Sequence, residues 1–217
     1  MIKIEDTQVY GWQAAINGMR NPLASWHKSD TNWLKYYSGG NINRCIGEND
    51  LSLMKRLSKA GSDHAKFLRM INVTCDITAP QFWWFEADTY KVGTVRNSCS
   101  KMHKIHVEPF KWDDFSHEGV DKVSKDYPQI EDYFNMMVNT VEWLRNQFNE
   151  TQDKKYWRAL IEILPEGYNM RATIQLNYQV LKNMYFARRN HKLTEWHDFC
   201  DWCKSLPYFE EICIQGE

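Results

Sequence analysis

The sequence predicts an α/β fold of the α+β kind, one domain over residues 1–217, with a long buried helix and flanking helices. Three observations predict it. Residues 67–78, FLRMINVTCDIT, alternate in the manner of a strand leading into Pro80. Ile130, Phe134, Met137, Val141, Leu144 and Phe148 recur at three- and four-residue steps, the stripe of an amphipathic helix. Residues 170–189 are apolar through Ile174, Leu176, Val180, Leu181, Met184, Tyr185 and Phe186, which predicts a buried helix.

The other elements follow in chain order. Residues 2–10 form a first strand ending at Gly11, and a helix covers 12–19. Residues 27–48 are polar and Gly/Asn-rich, a long loop and candidate lid. Asp50 or Ser52 is placed to cap a short helix that carries Leu53 and Leu57 and stops at Gly61. Segment 106–128 is irregular, bounded by Pro109 and Pro128. A helix over 153–163 stops at Pro165 and Gly167, and a last helix starts near Thr194 as N-cap. There is no internal repeat, low-complexity tract or linker.

Composition bounds the function classes. At 217 residues, 43% hydrophobic and 25% charged, the chain can bury one substantial core. No run approaches the ~18 apolar residues that span a bilayer, and the N-terminus lacks the apolar stretch of a signal peptide. Six Cys in a chain of this size are not a disulfide framework, so a soluble protein of a reducing cytosol is expected, with no membrane partner. The ten Trp, eleven Tyr and ten Phe fit a filled core or a subunit interface. A net charge of −1 argues against bulk nucleic-acid binding. The charge is uneven, however. Residues 89–107 hold Lys91, Arg96, Lys101 and Lys104 without an acid. Residues 167–194 hold Arg171, Lys182, Arg188, Arg189 and Lys192, again without an acid. Two such segments can line a pocket for an anion such as a phosphate, or they can be solvated faces.

Within the helix expected over 170–189, Asn177 and Arg188 are eleven residues and about 20° apart, on one face, with Leu181 and Met184 between them. Polar groups on an apolar stripe need partners. Cys200 and Cys203 follow Trp196 and Phe199 at i, i+3, i+4, i+7, so both fall on the apolar face of the last helix and are core residues rather than metal ligands. His103 and His106 lack an accompanying carboxylate or Cys pattern, so no metal site is expected. Phosphate-loop, G-x-G-x-x-G and G-x-S-x-G patterns are absent.

The stretch 164–196, LPEGYNMRATIQLNYQVLKNMYFARRNHKLTEW, resembles the C-terminal half of the flavin-dependent thymidylate synthases (ThyX). Leu164-Pro165, Asn177, Asn183 and Arg188 fall at the spacing of that family without a gap. More weakly, residues 53–67 resemble the family's helix ending in Gly-His, with His64 as the match two residues late. From Ala79-Pro80 the family runs to its Arg-His-Arg signature, for which Thr89-Tyr90-Lys91 stand here, followed by Thr94, Asn97, Ser98 and Ser100. The sequence departs from the family at Ile161, where an Arg is expected one turn beyond Arg158, and at Asp198.

The resemblance implies a ThyX-like fold with an antiparallel or mixed sheet, assembled as a homotetramer, in the cytoplasm of a bacterium or encoded by a phage. It implies FAD-dependent methylation of a uracil deoxynucleotide, dUMP, with NADPH and methylenetetrahydrofolate as cosubstrates. It assigns His64, Asn177 and Asn183 to flavin, and Lys91, Ser98, Ser100 and Arg188 to the nucleotide or a related small anionic ligand. The degenerate signature leaves two alternatives on the same fold: altered pyrimidine-nucleotide one-carbon chemistry, or nucleotide binding without catalysis. A nucleic-acid module on a Trp-rich surface is a third reading.

Overall fold

The computed structural model, which describes residues 2–215, opens with strand β1 (Lys3–Tyr10) and helix α1 (Trp12–Arg20). They are joined by Gly11 at φ +90°, where a Cβ would overlap the carbonyl of Met70. Then come α2 (Trp33–Tyr37), α3 (Glu48–Lys59), β2 (Asn72–Pro80) and α4 (Gln81–Ala87). They are followed by β3 (Val95–Ser98), α5 (Lys101–Lys104), α6 (Glu118–Val123), α7 (Gln129–Thr151) and α8 (Lys154–Ile163). The chain ends with β4 (Asn169–Asn177), α9 (Tyr178–Arg188), α10 (Thr194–Ser205) and a π-helical turn at Glu210–Ile214. The strands form one antiparallel sheet in the order β1-β2-β4-β3. The two edge strands expose mostly polar residues, which guards them against pairing with another chain.

One expectation is corrected here. Residues 169–177 are strand β4, and the helix occupies only 178–188. Ala172, Ile174 and Leu176 are buried while Arg171, Thr173 and Gln175 are exposed, a period of two. Asn177 is therefore the N-cap of α9 rather than a residue inside it. Its Oδ1 accepts from the backbone N–H of Val180 at 3.1 Å.

The chain packs as two compact units. The first holds residues 77–89 and 97–173. Its core joins Ile105, Phe110 and Phe115 to Val138, Val141 and Leu144 of α7 and Leu160 of α8. The second unit holds residues 4–76, 90–96 and 174–215. It is centred on Trp12, whose ring meets Tyr178 edge-on at 5.6 Å and Tyr208 at 6.1 Å. The Tyr178 hydroxyl, fully buried, donates to the carbonyl of Pro207 at 2.8 Å, the partner a buried phenol requires.

A buried ion pair organises the second unit. Arg20 ends α1 and Asp50 lies in the first turn of α3, and both are almost fully buried. Arg20 Nε donates to Asp50 Oδ1 at 2.6 Å. Asp50 Oδ2 accepts from the hydroxyls of Ser29 and Thr31 and from the backbone N–H groups of Asp30 and Thr31. Asp50 is thus not the cap of α3. The cap residue is Gly47, and the Asp30 carboxylate accepts from the N–H groups of Asn49 and Asp50. The stretch expected to be a long loop carries α2 and two short 3-10 turns, and is tied down at Ser29–Thr31 through Asp50.

All six cysteines are free, and Cys200 and Cys203 lie in the core of the second unit as their spacing predicts. Burial pushes the Cys200 thiol up to about 11 and that of Cys203 well above its ordinary value. Among the described residues, no group of three or more His, Cys, Asp or Glu side chains is placed to hold a metal ion. Cys203→Ser should destabilise the protein by about 1–3 kcal/mol through an unpaired buried hydroxyl. Denaturant unfolding measures this, and ligand affinity in the folded fraction should not change. Stoichiometric zinc that disappears with the substitution would contradict a purely structural pair.

Candidate functional site

Parts of the two acid-free segments, residues 90–96 and 174–194, belong to the second unit and come together there. The chain leaves α4 through residues 90–94, a turn closed by the Thr94 N–H on the Lys91 carbonyl at 3.3 Å. Gly93 sits at φ +81°, and a Cβ there would lie 3.1 Å from both Asn177 Nδ2 and Val180 Cγ2. Gly93 thus lets the turn lie directly on the N-terminus of α9. At the other end of α9, Arg188 Nε donates to the Tyr90 hydroxyl at 3.0 Å. The ends of α9 are about 16 Å apart at 1.5 Å per residue. Gly93 therefore lies at the start of α9, and the side chains of Tyr90 and Arg188 reach across to join the turn to its end.

Arg188 is half-buried and held by aromatic rings. Its guanidinium lies 4.8 Å from the centre of the Trp196 ring and 5.5 Å from that of Tyr90. Tyr90 and Trp196 also contact each other edge-on at 6.4 Å. Ring stacking and the Nε bond to Tyr90 fix the plane of the guanidinium, a group suited to charge-assisted contact with an anion. Lys91, next in the chain to Tyr90, is exposed. Asn177, at the far end of the helix, turns its oxygen to the cap and leaves its Nδ2 toward Gly93.

Asn183 borders a second feature of this unit, and His64 lies in the chain segment next to it without lining it. A cleft of about 400 Å³ is bordered by the end of α3 and the following turn (Ser58, Lys59, Ser62, Ala65) and by Gln179, Lys182 and Asn183 of α9. His64 lies between Ser62 and Ala65 and is exposed. Asn183 Oδ1 accepts from Gln179 Nε2 at 3.0 Å, one turn earlier on the same face. Ser58 Oγ is buried without a hydrogen-bond partner. The cleft is donor-rich and carries no carboxylate among its lining residues.

The remaining two predicted residues lie in the first unit. Ser98 ends β3 and is exposed. Ser100 is the N-cap of α5, its hydroxyl accepting from the N–H of His103 at 3.3 Å.

Sequence reasoning missed Tyr90 and Trp196 as the holders of Arg188. Tyr90 is 98 residues away, and Trp196 was legible only as a core position of α10. The Gln179–Asn183 pair could have been found from its i, i+4 spacing inside the helix expected over 170–189.

The structure is similar to that of thymidylate synthase X (ThyX) from Helicobacter pylori, crystallised with FAD and dUMP. The TM-score is 0.68 at 17% identity, covering 100% of this chain and 99% of that one. A second structure of flavin-dependent ThyX from Helicobacter pylori, also complexed with FAD and dUMP, gives a TM-score of 0.67 at 17% identity, covering 98% of each chain. No family model and no curated protein sequence matches the chain. At this identity the likeness is one of fold: the chain has the fold of the ThyX enzymes over its whole length.

Proposed function

We propose that the protein catalyses FAD-dependent methylation of a uracil deoxynucleotide, dUMP. The observation that carries this reading is Arg188, oriented by Tyr90 and Trp196 where two acid-free segments meet. Its guanidinium, with Lys91 beside it in the chain, suits the phosphate of a nucleotide. The family resemblance assigns Ser98 and Ser100 to a nucleotide as well. His64, Asn177 and Asn183 serve the flavin, and the cleft at Asn183 fits one edge of such a ring system. Its lining offers amide and ammonium donors and a buried Ser58 hydroxyl that lacks a partner.

When bound, FAD reduced by NADPH would supply hydride, and methylenetetrahydrofolate would supply the carbon. The chain itself binds, orients and desolvates. Arg188 holds the nucleotide by a charge-assisted fork, and the amide side chains donate to the ring edge. The test is release of tritium from dUMP labelled at its methyl-accepting carbon, in the presence of FAD, NADPH and methylenetetrahydrofolate. Release that depends on all three is expected, and its absence with full nucleotide binding would favour a nucleotide-binding protein of the same fold. The engagement of Asn177 in capping α9 is the observation on that side.

The reading includes a homotetramer. On α7, Tyr133, Met136 and Trp143 are 60%, 60% and 53% exposed on one face, apolar surface of the kind subunits bury. Light scattering should give about four times the 25.9 kDa chain mass. A monomer at micromolar concentration would remove a site shared between subunits.

A further inference from the structure

The second unit contains another cleft, of about 570 Å³, between the turn that follows α1 and the outer face of α3. Arg20 is part of its lining and is held in place by Asp50. Arg20 Nη1 donates to the carbonyl of Ser25 at 3.1 Å and Nη2 to that of Lys28 at 3.2 Å, while Asp50 neutralises the guanidinium. These bonds fix the backbone of residues 25–28, so Ser25 and Lys28 border the cleft from one side. Asn49, Ser52 and Arg56 border it from α3.

Three features of this lining point to an anion. Lys28 and Arg56 are exposed and have no carboxylate within ion-pair distance among the described residues. Ser25 is 6% exposed, and its Oγ is buried without a hydrogen-bond partner. A buried hydroxyl in that state costs free energy until an acceptor reaches it. The Ser52 hydroxyl and Asn49 amide add donors, and no Asp or Glu lines the cleft. Its volume lies within the range of small-molecule sites.

We propose that this cleft is a second anion site, which takes the phosphoryl group of a small molecule between Lys28 and Arg56 with Ser25 Oγ donating to one oxygen. It is separate from the seat at Arg188 and does not depend on the function proposed above. Asn49, Ser52, Leu53 and Arg56 form one face of α3 at 100° per residue. Ser58, which borders the cleft at Asn183, lies on the opposite side of α3 from Asn49.

The site is tested by calorimetric titration with inorganic phosphate and with ribose 5-phosphate at physiological salt. The Arg188→Ala background is used so that the nucleotide seat does not contribute. Saturable binding of one phosphate group per chain is expected. Adding Lys28→Ala and Arg56→Ala, both at exposed positions, should weaken it about tenfold or more. Adding Ser25→Ala instead should weaken it about threefold without lowering the melting temperature, because the free protein loses only an unpaired hydroxyl. Tighter binding of ribose 5-phosphate identifies a phosphate ester as the occupant, and equal binding identifies phosphate alone. Absence of saturable binding in the Arg188→Ala background, or binding untouched by removal of both cations, overturns the site.

Discussion

Asp50→Asn should cost about 3–5 kcal/mol of stability, because it leaves the Arg20 charge buried without its counter-ion. The substitution keeps the shape of the side chain, so the loss reports charge rather than a cavity. For a chain of this length each kcal/mol moves the midpoint by about 2–4 °C, so the melting temperature should fall by about 6–20 °C. The pair also sets an acid limit. Burial opposes ionisation of Asp50, yet the hydrogen bonds from Thr31, Ser29 and Arg20 outweigh it and hold the carboxyl below its usual 3.8. A carboxyl with a lowered folded-state pKa contributes stability above the unfolded value, and that contribution is lost as pH falls through the folded one. Wild type should therefore lose stability as pH falls below that of an ordinary carboxylate, and Asp50→Asn should lack this component. Thermal melts across pH measure both. An unchanged melting temperature in Asp50→Asn would mean that the pair does not organise the unit.

Arg188→Ala should weaken dUMP affinity about tenfold or more, since truncating one partner of a charge-assisted contact costs about 2–5 kcal/mol. Arg188→Lys should recover only part of it. An ammonium keeps the charge but can neither stack flat on Trp196 nor offer a planar fork. The fold should survive both changes, because Arg188 is only half-buried and its contacts with Tyr90 and Trp196 are to neutral groups. Titration of dUMP alongside thermal melts separates the outcomes. Unchanged affinity with a collapsed melting temperature would make Arg188 a structural residue, and the nucleotide assignment would fall with it.

The sequence made some elements legible and hid others for physical reasons. Helices α7 and α8 each carry a single periodicity over their whole length and were predicted within a few residues, whereas strand β2 was expected from residue 67 but starts at Asn72, because Ala65–Arg69 form a 3-10 helix. Strand β4 was misread because it passes into α9 with no turn residue between them. The apolar density of Ile174 and Leu176 continues into Val180 and Leu181, which masks the change of period from two to 3.6. The fold-level resemblance held because spacing along the chain survives such an error, and the structural likeness covers the whole chain. The site was legible only in outline. The acid-free segments announced a cationic region, and Arg188 and Asn183 came from their spacing. The Arg20–Asp50 pair spans 30 residues and Tyr90–Arg188 spans 98, and no local pattern encodes either meeting.

The most direct test of the account is the absorption spectrum of the purified protein, taken after incubation with FAD and desalting, with and without dUMP. The account predicts a yellow protein that retains stoichiometric FAD, with a flavin band that shifts when dUMP is added. A colourless protein that retains no FAD, whether or not dUMP is present, would contradict it.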